Sequence, residues 1–433
     1  MKTRTIRRLI APPAVGLCAA WLFTAQLGAV SAQPDTPEAT TAISRPHDPV
    51  IAPGASFPVF SGAPTSTLVL YAYRSGSWAP IPFQVDEVGI TGTYVVSDGG
   101  LLDANDELVF MAGDAGNGVD TSIWPSDTQS RLYPRYAITV SDPLSPGSQA
   151  WVYLYRSPTL LRSNIRYITW TESAQTAAAI SYTASFSPTA FIGLADLKIN
   201  GGSTDILDRQ KIRATAFFGT INLNEENIPN FFPEIPATVT LPVVGPVRAV
   251  SDGNAFYGSQ LDIRAAVTFN VLSPDFIRTS FDWNDPSVTG IDTYRDSNTL
   301  GAVSIDGNSD LISSTPRVNW IQVNGGAAGP GGLAVAIPRF DPGGGSVTNY
   351  YKDDSALDPN DTGDKKSFAD AGLRIDNPGA VISFTIAAYV LPPGATASVG
   401  AAHFARATNP LTIASAAQNF AGTKFIYLPV ILK

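Results

Sequence analysis

From Phe57 onward the apolar residues of this chain recur with a period of two. Leu68 and Leu70 alternate with Val69, Tyr71 and Tyr73. Trp151, Tyr153 and Tyr155 alternate with Val152 and Leu154, and Ile382, Phe384, Ile386, Ala388 and Val390 share one face. A strand sends successive side chains to opposite sides, so each of these runs has one side to bury. Further strand candidates are Arg166–Thr171, Ile180–Ser185, Lys211–Phe218, Ala237–Leu241, Val247–Ser251, Ala265–Val271, Ile277–Trp283, Arg317–Val323, Gly332–Ile337 and Thr423–Leu432. Turn clusters separate them, among them Asp252-Gly253-Asn254, Asp306-Gly307-Asn308 and Asn377-Pro378-Gly379. No helical pattern exceeds about three turns, and no internal repeat stands out. Many strands without intervening helices imply an all-β protein built from antiparallel sheets. The expectation is a large β-sandwich over residues 161–433 with a smaller N-terminal β unit over residues 54–160. Residues 33–53 hold Pro34, Pro37, Pro46, Pro49 and Pro53 without periodicity and read as a flexible leader.

The first 32 residues read as a secretory signal peptide. Lys2, Arg4, Arg7 and Arg8 form a charged start, Ala14–Phe23 is apolar, and Val30-Ser31-Ala32 offers small residues before Gln33. Pro12, Pro13 and Gly16 interrupt the apolar run, which is short for a span of roughly 20 residues. Cleavage after Ala32 leaves no transmembrane span and places the protein in a secreted or cell-surface location. It also removes Cys18, the only cysteine. The exported chain therefore has no disulfides and must rely on a core, which a chain of this length can bury.

The net charge is −9, and loss of the cationic signal makes it more negative. An acidic chain is a poor partner for nucleic acid or an anionic membrane and is compatible with binding divalent cations. Charged residues make up only 15% of the chain, whereas Gly and Pro are abundant, as expected of many short strands joined by turns.

His47 and His403 are the only histidines, too few for a histidine-rich zinc site or an evident Ser-His-Asp triad. His403 is expected near a strand edge in a structural role. The best metal motif is the run from Asp358 to Asp364. Asp358, Asn360, Thr362 and Asp364 alternate oxygen ligands, and Gly363 permits a sharp turn, as in the first half of a calcium loop. The pattern departs where a bidentate Glu belongs: Ala369 stands there, with Asp370 adjacent. A solvated acidic loop is the alternative. A second acidic cluster joins Asp103, Asn105, Asp106 and Glu107 with Asp114 and Asp120, and upstream Asp86 and Glu87 could share an ion with them. Turn capping explains Asp103 and Asn105 equally well.

Trp283, Tyr294, Trp320, Tyr350 and Tyr351 fall in or beside loops, near Asn, Asp and Arg. Aromatic faces stack on sugar rings while such polar neighbours bond the hydroxyls, which makes these five the candidate ligand-binding residues; core packing is the competing role. Tyr350-Tyr351-Lys352-Asp353-Asp354 also admits a polysaccharide lyase, in which a Tyr beside a cation moves protons.

The C-terminus, Phe425-Ile426-Tyr427-Leu428-Pro429-Val430-Ile431-Leu432-Lys433, resembles the Tyr-Leu-Pro-aliphatic-basic tail of many otherwise unrelated bacterial secreted proteins. The resemblance covers these residues alone and implies a sorting or surface-retention signal. The sequence thus reads as an exported β-sandwich that binds extracellular polysaccharide or associates with the cell envelope, without catalysis. A polysaccharide-degrading enzyme, most plausibly a lyase, and a purely structural surface protein are the alternatives.

Overall fold

The computed structural model describes residues 43–187, 190–231, 238–268, 274–299 and 301–421. The signal segment, the start of the leader and the C-terminal tail with strand candidate Thr423–Leu432 lie outside the described residues. The fold is nearly all β, as the period-two pattern requires, and every strand pairing is antiparallel.

Two sheets bury the first core. One has the order Thr412–Gln418, Arg135–Ser141, Gln149–Arg156, Leu68–Arg74, Ser77–Pro80. The other has the order Pro49–Pro53, Glu107–Met111, Phe83–Asp86. Leu70, Ile138 and Val152 from the first meet Leu108 and Phe110 from the second, with Phe57 and Phe60 between them. Residues Thr412–Gln418 come from the far end of the chain, so this sheet is completed by its last described strand.

The second core is larger. It lies among three sheets. The nine-stranded sheet carries Gly332–Asp341 and Val381–Leu391 at its centre. A four-stranded sheet runs through Tyr182–Phe186. A five-stranded sheet has the order Ile221–Asn224, Leu207–Ala216, Pro274–Trp283, Ser367–Asp376, Ser346–Asp354. Phe186, Phe256, Phe281, Trp283, Ile321, Val335, Leu373 and Ile386 pack there as one cluster.

The structure corrects the sequence reading in three places. Residues 43–53 belong to the fold rather than to a flexible leader. Pro49–Pro53 is a paired strand, and Arg45, 2% exposed, bonds Asp142 at 2.8 Å and the carbonyl of Asn409 at 2.8 Å. His403 lies on the helix Gly400–Thr408, not at a strand edge, with its ring 4.5 Å from that of Tyr389. Burial pushes its pKa down to about 4, so it stays neutral as a packing residue. The strands Ser346–Asp354 and Ser367–Asp376 were not anticipated; their polar and glycine content hides the alternation.

Buried arginines tie segments distant in sequence. Arg248, fully buried, meets Asp86 at 2.6 Å, pairs with Glu107, and lies 3.3 Å from the hydroxyls of Tyr94 and Tyr257. The side-chain oxygen Oε1 of Gln84 accepts from the backbone N–H groups of Val247 and Arg248, each at 2.9 Å. Arg248→Ala takes away the cation paired with the fully buried Asp86 and is expected to cost about 3–5 kcal/mol. Chemical denaturation of the variant beside wild type measures this; a loss under about 1 kcal/mol would mean the pair is not structural.

Candidate functional site

The five-stranded sheet has one face in the core and one facing outward. Phe281 and Trp283 point inward, so Phe276, Arg278, Ser280 and Asp282 take the other side. Register then sets Arg213, Arg278 and Arg374 directly opposite one another on three neighbouring strands. The next row holds Lys211, Ser280, Gly372 and Tyr350.

One end of this face is sealed by the loop 358–365. Lys211, 0% exposed, pairs with Asp282, with Asp361 at 2.7 Å, and with the carbonyl of Lys366 at 3.2 Å. Arg213 pairs with Glu225 and reaches Asp361 and the hydroxyl of Thr362, both at 2.6 Å. Thr362 in turn donates to the buried Glu225. Burial alone would lower the Lys211 pKa, but the charges of Asp282 and Asp370 override it and hold the ammonium charged. Burial, reinforced by Asp370, pushes Asp282 well above the usual carboxylate range. Burial also works to raise Asp361, but hydrogen bonding and charge from Lys211 prevail and lower it.

Beyond the sealed end the face opens into a depression of about 540 Å³. Arg213, Arg278, Lys352 and Arg374 line it against only Asp358 and Asp361, with Tyr350 and the amides of Asn222, Asn224 and Asn227. Each of these cations has an acid beside it: Glu225 and Asp361 for Arg213, Asp370 for Arg278, Asp358 for Lys352 and Asp376 for Arg374. The guanidinium of Arg278 lies over the Tyr350 ring at 3.9 Å, and that of Arg374 over Phe276 at 4.1 Å. Arg374 also has Asp376 at 2.7 Å. Arg278 is less well served: its Nε is buried without a hydrogen-bond partner, and Asp370 stands off at 3.6 Å from Nη2.

Of the five aromatic candidates, only Tyr350 lines this groove. Trp283 and Tyr294 are each 1% exposed in the core and offer no face to a ligand. Tyr351 packs against Tyr294 at 4.6 Å on the inward side of the sheet. Trp320 belongs to the nine-stranded sheet, and the helix start at Gly400 sits against its ring. Burial, then the charge of Asp370, raises the Tyr350 pKa and keeps its phenol protonated.

The four residues of the calcium motif separate. Thr362 turns inward to Arg213 and Glu225. Asp358 is exposed beside Lys352, at 3.8 Å, and caps its own turn by accepting from Asn360 N–H at 3.0 Å. Asn360 lines the groove. Asp364 instead joins Asp208 and Asp282, whose carboxylates approach closely enough to share a cation. Gly363 makes this approach: at its φ of +70° a Cβ would lie 2.0 Å from Asp208 Oδ2. Burial and then Asp364 push Asp208 up to about 6.

In the second acidic cluster Glu87 and Asp106 do meet, with Asp98 as the third member. Asp86 turns to Arg248, and Asp114 accepts from the Tyr167 hydroxyl at 2.8 Å. Asp103 caps a turn by accepting from Asn105 N–H at 3.1 Å. The arginine row and Asp98 were missed by the sequence reading. Only the register of strands far apart in the chain could have revealed the former.

Burial, followed by the hydrogen bond with Asp98, pushes Glu87 up to about 7 from 4.5. A carboxyl with a raised folded-state pKa stabilises the fold fully below the unfolded value and loses that contribution as pH rises through the folded one. The melting temperature should therefore fall between pH 4.5 and 7, and Glu87→Gln should flatten that part of the profile. Scanning calorimetry across this window checks it; superimposable profiles for the two proteins would remove Glu87 from the account. Compared with known proteins, the chain matches no family model and no curated protein sequence.

Proposed function

We propose that this is an exported protein, secreted or held at the cell surface, that binds an anionic polysaccharide without catalysis in the groove of the five-stranded sheet. The observation that carries the reading is the row Arg213, Arg278, Arg374. Like charges directly opposite on neighbouring strands destabilise a sheet. Arg213 and Arg374 have close carboxylates, whereas Arg278 keeps a buried unpaired N–H. A carboxylate of a uronate sugar in the groove gives the guanidinium of Arg278 a closer anionic partner than Asp370 at 3.6 Å and offsets the repulsion, since guanidinium and carboxylate match as a two-pronged pair. The amides of Asn222, Asn224 and Asn227 provide partners for hydroxyls.

The same geometry weighs against the lyase alternative. A catalytic phenol base needs its pKa brought down, and that of Tyr350 is raised. Asp282 and Asp370 are 1% and 0% exposed beneath the loop, out of reach of a substrate.

Titration calorimetry with polyuronates and with neutral glycans tests the proposal. Wild type is expected to bind the polyuronate and not the neutral chain. Arg278→Ala should weaken binding by about tenfold or more, the loss of a charge-assisted hydrogen bond. Arg278→Lys, which keeps charge without the fork, should recover only part of it. Absence of binding by wild type, or equal affinity in Arg278→Ala, overturns the reading.

A further inference from the structure

We infer that the hairpin tip Phe217-Phe218 is a ring-stacking subsite that extends the groove to longer polysaccharide chains; this rests on the groove reading. The tip joins Leu207–Ala216 to Ile221–Asn224, and both strands line the groove through Arg213, Thr215, Asn222 and Asn224. Phe217 is 53% and Phe218 101% exposed. Nothing in the core is gained by placing two phenyl rings in water, where their burial would otherwise be favourable.

The backbone makes the placement more telling. Phe217 has φ 53° and Phe218 φ 55°, both in the left-handed region. Residues with a Cβ adopt that conformation only at a cost, and two bulky aromatics in succession are unusual where Gly or Asn would serve. The strain is held in place. Asp275 accepts from the backbone N–H of Phe218 at 3.3 Å and of Gly219 at 2.8 Å. The Thr220 hydroxyl donates to the Phe217 carbonyl at 2.7 Å. Exposed aromatic groups fixed in a strained turn are pre-organised for contact with a ligand.

The position selects the ligand. Asp275 precedes Phe276, whose ring lies under Arg374 on the groove floor. Aromatic groups therefore continue from Tyr350 through Phe276 to the tip in one direction along the sheet. A polysaccharide held by Arg278 through one carboxylate runs out over the tip, where the C–H faces of its next rings meet Phe217 and Phe218. A lipid surface is the other occupant for exposed aromatics. The tip borders the arginine-lined groove, and that continuity assigns it to the ligand of the groove rather than to a bilayer.

The test compares oligouronates of two and of six sugars on wild type and on the double variant Phe217→Gly/Phe218→Gly. Glycine accepts the left-handed backbone, so the variant should melt at or above the wild-type temperature. Wild type is expected to bind the six-sugar chain more tightly than the two-sugar one. The variant should lose about tenfold for the longer chain and nothing for the shorter. Equal binding of the longer chain by both proteins overturns the subsite while leaving the groove intact. Failure of wild type to bind either oligomer removes the groove reading and the subsite with it. Flotation of wild type, but not the variant, with phosphatidylcholine or phosphatidylglycerol vesicles would assign the tip to lipid and overturn the proposal.

Discussion

The ion cluster around Lys211 determines what the outer face of the five-stranded sheet can be. A buried ammonium is tolerable only among carboxylates that also accept its hydrogen bonds. Asp282 comes from the neighbouring strand and Asp361 from the loop 358–365, so satisfying Lys211 fastens the loop across the sheet. Asp361 then holds Arg213 as well, and Thr362 completes the link to Glu225. With these charges paired under the loop, the rest of the face is left with Arg278, Lys352 and Arg374 around an open depression. Asp361 and Glu225 are taken up by Lys211 and Arg213, while Arg374 has Asp376 at 2.7 Å and Arg278 and Lys352 have Asp370 and Asp358 only at 3.6 and 3.8 Å.

The same device recurs wherever distant segments meet. Arg45 joins the N-terminal strand region to Asp142 and Asn409. Arg135 lies between the rings of Trp124 and Tyr153, at 4.6 and 4.5 Å, and reaches Gln418 on the last described strand at 2.8 Å. Arg248 joins two strands of the three-stranded sheet to the start of the nine-stranded one. No cysteine follows Cys18, so cross-links are not available to these junctions. Arginine suits the role because its five donors can satisfy several acceptors at once while its plane stacks on aromatic rings. Such groups specify geometry strongly, since each is costly unless every partner arrives.

The fold class was legible because alternation is a local property. Leu68–Arg74, Gln149–Arg156 and Val381–Leu391 carry it openly. The site was far less legible. Parity alone separates Phe281 and Trp283 from Asp282, and Tyr350 from Tyr351, and three of the five proposed aromatics, Trp283, Tyr294 and Tyr351, face the core. The arginine row needed something more: the register between three strands, set by long-range pairing that no single segment encodes. The acidic loop was recognised, but the residue through which Lys211 and Arg213 fasten it is Asp361, which the alternating-oxygen pattern of Asp358, Asn360, Thr362 and Asp364 passes over. A lysine in the middle of a strand gives no sign of which loop will cover it. The tip residues Phe217 and Phe218 were read as the end of a strand, since aromatics favour strands and their left-handed backbone leaves no mark in composition.

The central claim is that the Arg278 guanidinium, whose ion-pair partner Asp370 stands off at 3.6 Å, takes a sugar carboxylate as a closer partner. A crystal structure of the protein with a bound oligouronate tests it most directly. The account predicts a carboxylate seated on Arg278, between Arg213 and Arg374, with the chain running along the sheet. An oligouronate bound elsewhere on the surface, with the groove holding only solvent, would contradict it.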